Sequence, residues 1–143
     1  MSYPPDIYQR IVSAKVYMDD NFPNTINLDD ISRKAFLSRF HFHRLFSRIY
    51  RRTPHQYLTY MRLRAARQML KQDADTITEV SNNVGFESAT SFSLLFKKQN
   101  GCSPQYYRNM AWLKKKQAAE QPRKFVPHCF TQQFSIAKES NIR

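Results

Sequence analysis

The segment from Phe36 to Tyr57, FLSRFHFHRLFSRIYRRTPHQY, is restated fifty residues later from Phe86 to Tyr107 as FESATSFSLLFKKQNGCSPQYY. At that offset Ser38 falls on Ser88, Phe42 on Phe92, Leu45 on Leu95, Phe46 on Phe96, Pro54 on Pro104 and Tyr57 on Tyr107. A solenoid needs at least three repeats to bury its faces, so two copies predict a pair of similar units.

Wound at 3.6 residues per turn, the stretch after Ser38 puts Phe42, Leu45, Phe46 and Ile49 on one stripe, the spacing of a buried face. The other side then carries Phe40, His43, Arg44, Ser47, Arg48 and Arg51, a cationic surface with one aromatic in it. Upstream, Asn27 is placed to cap a short helix over Leu28 to Ala35, whose Leu28, Ile31 and Ala35 share a face, and Ser38 to cap the next. A short helix, a tight turn and a basic second helix predict a helix-turn-helix, in which the second helix enters the major groove of DNA. The later copy has the same layout. Thr76 to Glu79 reads as a capping box, Ile77, Val80 and Val84 point inward, Gly85 ends the helix and Ser88 caps the next.

The run Gly85, Phe86, Ser88; Phe92, Phe96, Lys97; Gly101, Ser103, Pro104; Tyr107, Arg108 resembles the second half of the DNA-binding domain of AraC-type bacterial transcription regulators, and the resemblance spans about Ile7 to Arg108. It implies an all-α fold of about seven helices, with two helix-turn-helix subdomains joined by a long linker helix that acts as a rigid spacer. The first unit is expected over about 7–52, the linker over 54–71 and the second unit over about 75–108. It further implies a sequence-specific regulator of duplex DNA, an activator working through RNA polymerase, with recognition helices over 38–50 and 88–100 in successive major grooves of an asymmetric site. Such members usually carry a further effector or dimerisation domain; Met1 at the start fits a small stand-alone member better than a fragment.

Composition agrees with a helical polyanion binder. The chain of 143 residues has two glycines and no stretch of period-two alternation, which argues against a sheet. Its formal net charge is +12, and between Asp30 and Asp73 it places eleven lysines and arginines and not one acid. The first thirty residues instead hold Asp6, Asp19, Asp20, Asp29 and Asp30. A basic half of this kind neutralises phosphates and releases counterions. No apolar run approaches a membrane span and no signal pattern opens the chain, so a cytoplasmic protein is expected.

Within the first recognition helix Arg44 is the leading candidate for reading a base, because its planar fork matches guanine O6 and N7. His43 can donate to a base or a phosphate. Phe40 either meets a thymine methyl or sugar, or packs on the linker. The resemblance implies DNA contact at the positions of Phe40, His43 and Arg44. Arg39, Arg48, Arg51 and Arg52, with Ser38, Ser88, Lys97 and Lys98, are the expected phosphate contacts, which position without specifying. The second helix turns Thr90, Ser93 and Leu94 outward, and Leu94 stands where the family frequently has a long polar or basic residue. Arg51 stands where many members carry the glycine of a left-handed cap, as Gly101 does in the second copy.

Around this frame, Asp6 and Gln9 suggest a capping box for a first helix from Ile7 to about Asp20, striped by Ile7, Ile11, Ala14 and Met18. Thr53, Pro54 and Gln56 start the linker helix, whose Tyr57, Leu58, Met61, Ala65 and Met69 are assigned to the cores and whose Arg62, Arg64 and Arg67 are assigned outward. Ser103 and Pro104 start a last helix reaching Leu113 through Tyr106, Tyr107 and Met110, followed by a basic extension over 109–143 read as mobile beyond that helix. Cys102 and Cys129 are expected as reduced thiols, and His41 and His43 point about 200° apart on a helix, so they share no local metal site. No phosphate loop, paired carboxylates or nucleophile with base appears, so neither catalysis nor a cofactor is expected. The competing readings are a non-transcriptional nucleic-acid accessory protein and a basic amphipathic membrane-surface or protein-interaction module.

Overall fold

The computed structural model describes residues 2–72 and 74–127. These form seven α-helices, α1 Pro5–Asn21, α2 Leu28–Lys34, α3 Arg39–Tyr50, α4 Pro54–Gln72, α5 Ile77–Asn83, α6 Ala89–Asn100 and α7 Pro104–Glu120, then a 3-10 turn Pro122–Phe125. Two apolar cores result. Ile11, Ala14, Met18, Ile31, Ala35, Phe42, Leu45, Phe46 and Leu58 fill the first; Leu63, Ala66, Leu70, Val80, Val84, Phe92 and Phe96 fill the second. Each fully buried Phe contributes roughly 1.5–3 kcal/mol by leaving water, and two of them stand in each core.

The repeat is reproduced in three dimensions and reaches further back than the restated segment. Ile11, Ala14 and Met18 of α1 match Leu63, Ala66 and Leu70 of α4, with the same i, i+3, i+7 spacing and the same burial. The aromatic stacks match too. Phe42 and Phe46 lie 5.4 Å apart and Phe46 meets Tyr57 edge-on at 5.6 Å; Phe92 and Phe96 lie 5.7 Å apart and Phe96 meets Tyr107 edge-on at 5.5 Å. Helix α4 therefore closes the first unit with Tyr57 and Leu58 and opens the second with Leu63, Ala66 and Leu70. Leu63 lies five positions after Leu58, so at 100° per residue the two contact faces sit about 140° apart around the helix.

That division corrects the sequence assignment of α4. Its second core face is Leu63, Ala66 and Leu70, with Ala65 and Met69 only partly buried beside it, while Met61 joins neither cluster. A helix serving two cores has no single stripe for periodicity to find. Nor do all its arginines face outward: Arg62 and Arg67 are half-buried and bonded to other elements, and Arg64 is exposed.

The ends of α1 and α7 also differ from expectation. Helix α1 starts at Pro5, with Pro4 in the cap position and no side-chain cap, so Asp6 and Gln9 form no capping box there. Proline at the first helical position has its φ preset and no N–H to satisfy, which makes the side-chain cap dispensable. Helix α7 runs through Lys114, Lys115 and Lys116 to Glu120, seven residues past Leu113, and there Tyr106, Met110 and Leu113 are exposed while Tyr107 is packed against the second core. Arg108 donates to the Asp75 carbonyl and Lys115 to the Lys71 carbonyl, tying α7 to the end of α4 and the turn after it. Cys129, with the remaining tail 128–143, lies outside the described residues, and Cys102 is a half-buried free thiol.

Candidate nucleic-acid interface

In both units the turn between the paired helices is built by the same two backbone hydrogen bonds. Phe36 N donates to Arg33 O and Leu37 N to Ser32 O, as Gly85 N donates to Asn82 O and Phe86 N to Ser81 O, while Ala35 and Val84 cap α2 and α5. This fixes the register. Leu37, not Phe36, is the counterpart of Phe86, and both pack against their cores; Phe36 matches Gly85, shares its positive φ and is 82% exposed. The offset is 49 residues up to that point, as Asn27 and Thr76 show, and becomes 50 because Glu87 adds a residue before Ser88. Two phenylalanines at the same offset as the serines made the wrong pairing look exact in sequence.

Ser38 Oγ accepts from His41 N and Ser88 Oγ from Ser91 N, so both hydroxyls cap their helices as expected. Beyond these caps the second helix of each unit presents an outward set. Phe40 is 87% exposed, His43 and Arg44 are exposed, and so the alternative in which Phe40 packs on α4 is excluded. In α6, Thr90 is exposed, Leu94 is 67% exposed and Ser93 is half-buried.

The basic side chains around these sets are partly held by the protein itself. Arg39 pairs with Asp29 at 3.2 Å, Arg48 Nη1 donates to Tyr3 Oη at 3.3 Å, and the Arg52 guanidinium lies over the Tyr60 ring at 4.2 Å. Lys97 and Lys98 are exposed in the last turn of α6. Arg51 adopts φ 58, ψ 22 and Gly101 φ 79, ψ −2, so both helices end in a left-handed residue although only one is glycine. For a non-glycine residue that conformation costs roughly 1–2 kcal/mol.

Sequence reasoning missed His55. It is exposed in the first turn of α4, where it lines both a cleft shared with Gln99 of α6 and another shared with Ser88 and Ser91. The available signal was only its place just inside the linker's capping box, in which Thr53 N donates to Gln56 Oε1 at 2.9 Å and Gln56 N to Thr53 Oγ1 at 3.1 Å. Among the described residues no group of three or more His, Cys, Asp or Glu is placed to hold a metal, and no helix is long and apolar enough to cross a membrane.

The stripes behind this surface are anchored by a partly buried network in the first unit. Tyr57 Oη donates to Asp19 Oδ1 at 2.6 Å and Lys15 Nζ pairs with Asp19 Oδ2 at 2.8 Å, fastening α1 to α4. Burial, and then the bond to Asp19, push the Tyr57 phenol up to about 12.

A helix-turn-helix domain model matches residues 31–110. The transcriptional regulator AlkR of Acinetobacter baylyi is 38% identical over 107 residues, which cover 75% of this chain and 34% of AlkR. An AraC-type DNA-binding-domain regulator from Chromobacterium violaceum superposes with a TM-score of 0.68 at 27% identity, over 73% of this chain and 93% of that one. The DNA-binding domain of AdpA, solved with a target DNA, shares the fold with a TM-score of 0.67 at 23% identity, over 79% of this chain and 96% of that one. The chain spans about a third of the length of the curated relatives it matches.

Proposed function

The chain belongs to the AraC-type helix-turn-helix family of transcription regulators, and from that premise we propose that α3 and α6 enter successive major grooves on one face of a DNA duplex. The observation that carries this is the pair of capped, outward-facing helices held by one helix: α4 has 19 residues, roughly 28 Å at 1.5 Å each, close to the ~34 Å between groove openings on one duplex face. Phe40, His43 and Arg44 read bases in one groove; Thr90, Ser93 and Leu94 face the other. Arg39, Arg48, Arg51, Arg52, Ser38, Ser88, Lys97 and Lys98 contact phosphates. The protein binds as a monomer, because two unlike reading helices in one chain impose no two-fold symmetry on the site. It acts in the cytoplasm as an activator that contacts RNA polymerase.

Selection of bound sequences from a random duplex pool, followed by sedimentation of the complex, tests this. The expected site is asymmetric, about 20 base pairs long and occupied by one chain. Two chains on an inverted repeat would overturn the monomer, and equal binding to RNA or anionic vesicles would overturn the regulator. Arg48→Ala and Arg52→Ala should weaken all sequences alike and each flatten the salt dependence by about one unit, as a lost phosphate contact does. A change of base preference in either variant would show that base and phosphate roles are misassigned.

A further inference from the structure

The extensive helix contacts run within each unit or through α4, so little besides that one helix holds the two units at a fixed angle. A cleft of about 400 Å³ lies between them, with Thr25 and Ile26 of the first unit among its lining residues and Glu87, Ser88 and Ser91 of the second. At one place the cleft is closed. Arg62 of α4 reaches the loop between α1 and α2, where Nε donates to the Phe22 carbonyl at 2.7 Å and Nη2 to the Asn24 carbonyl at 3.0 Å. The turn between α5 and α6 meets the same loop: a methyl on Gly85 would lie 2.8 Å from the Pro23 carbonyl oxygen, and 2.9 Å from the Phe22 carbonyl oxygen and from Arg62 Nε. Three elements thus touch through one guanidinium and one bare α-carbon.

The equivalent of Arg62 in the first unit is Arg10, which lies 52 residues earlier just as Ile11 precedes Leu63, and it makes only an exposed pair with Asp6 at 3.8 Å. The helix fold of a unit therefore does not need this arginine bonded inward. The bonded form occurs where a second unit has to be aligned. Gly85 is bare for the same reason, since its counterpart Phe36 also has a positive φ, 52° against 101°, and carries a full side chain into solvent.

We propose that Arg62 and Gly85 form a clamp that fixes the angle between the two recognition helices, and so sets the half-site spacing the protein accepts on DNA. The part concerning DNA rests on the assignment of α3 and α6 as reading helices. Inserting one base pair between half-sites moves the second by about 3.4 Å and rotates it by about 34°, which a clamped pair of helices does not follow.

Two measurements test the clamp. The first needs no DNA: spin labels at Val12→Cys and Asn82→Cys, with Cys102→Ser and Cys129→Ser, report the distance between the units by pulsed dipolar spectroscopy. The parent should give one narrow distance, Arg62→Met a broad distribution, and Arg62→Lys an intermediate one, with helical circular dichroism unchanged in all three. A distribution as narrow in Arg62→Met as in the parent overturns the clamp, and so does a parent that is already broad. The second measurement is affinity for the selected site and for sites with one base pair added or removed at its centre. The parent should lose about tenfold or more on the altered sites, a loss of the size a mismatched base pair causes, and Arg62→Met about threefold or less. Retained discrimination in Arg62→Met overturns the role in spacing. If the parent binds no duplex, the assigned DNA function fails, and the distance measurement still decides the clamp. Gly85→Ala should behave like Arg62→Met in both assays if it folds.

Discussion

The two units have the same frame and different faces. The buried core positions, the caps of the paired helices and the Phe–Phe–Tyr stacks correspond in the two units, yet α3 turns out an aromatic, a histidine and an arginine where α6 turns out threonine, serine and leucine. What can diverge without cost is the surface on which each helix meets its partner, since the packed side of a recognition helix is constrained by its core and the outward side only by what it binds. On the proposed reading of α3 and α6, a bidentate donor on one side and none on the other would have the halves of a DNA site specified by different physics: hydrogen bonding to base edges in one, and phosphate contact, apolar contact and duplex deformability in the other.

The largest expected effect tests the sameness of the frames. Phe42→Ala and Phe92→Ala should each cost about 3–5 kcal/mol, because both rings are fully buried and the cavity cannot close. Chemical denaturation measures this, and a cost several-fold smaller in one unit would show that the cores are not equivalent. The next effect tests the difference of the faces. Arg44→Ala should cost about 1–3 kcal/mol of affinity on the best site and relax one or two base positions, whereas Leu94→Ala should cost less and leave the preference largely intact. Titrations against every single-base variant of the site decide it. A larger and more selective loss from Leu94→Ala would mean that apolar contact in the second groove does the reading assigned to the first.

Smaller effects sharpen the comparison at the helix ends. Arg51→Gly should raise stability by up to about 1 kcal/mol by relieving a left-handed side chain, and Gly101→Ala should lower it by about 1 kcal/mol. No heavy atom lies within 4 Å of a Cβ built at Gly101, so any loss there is conformational and not steric. Thermal melting of both variants reads the pair; no gain from Arg51→Gly would mean that its side chain compensates its backbone. Confined to the first unit is an alkaline limb. The Tyr57 phenol is raised from its ordinary 10 to about 12 in the folded state, so its stabilising contribution is complete below pH 10 and is lost as pH climbs toward 12. Melting temperature should fall over that window in the wild type and fall less in Tyr57→Phe. Equal slopes would remove Tyr57 from the account.

Much of this architecture was legible because period and caps are local properties. Asn27, Ser38, Thr53, Thr76, Ser88 and Ser103 start helices where their side chains bond the backbone N–H three residues on. The outward set of α3 follows from the same periodicity. What escaped was non-local. The α4 core face was misread because the helix turns from one core to the other along its length, and Arg62 was assigned outward because a lone arginine in sequence does not show that two carbonyls of a distant loop await it. The pairing of Phe36 with Phe86 failed on a single inserted residue, Glu87, which only the matched hydrogen bonds of the two turns reveal.

Because α4 completes one core with Leu58 and founds the other with Leu63, Ala66 and Leu70, neither half can be cut out as an autonomous folding module. Cutting before Pro54 would strip Leu58 and Tyr57 from the first core, and cutting after Gln72 would leave α5 and α6 without the helix they pack on. Loss of native structure in either core propagates along the shared helix to the other, so the described residues up to α7 are expected to melt in one transition and to exchange their core amide hydrogens as one cooperative block. Joining the units by a shared element, in place of a tether, gives two small cores the cooperativity of one larger domain.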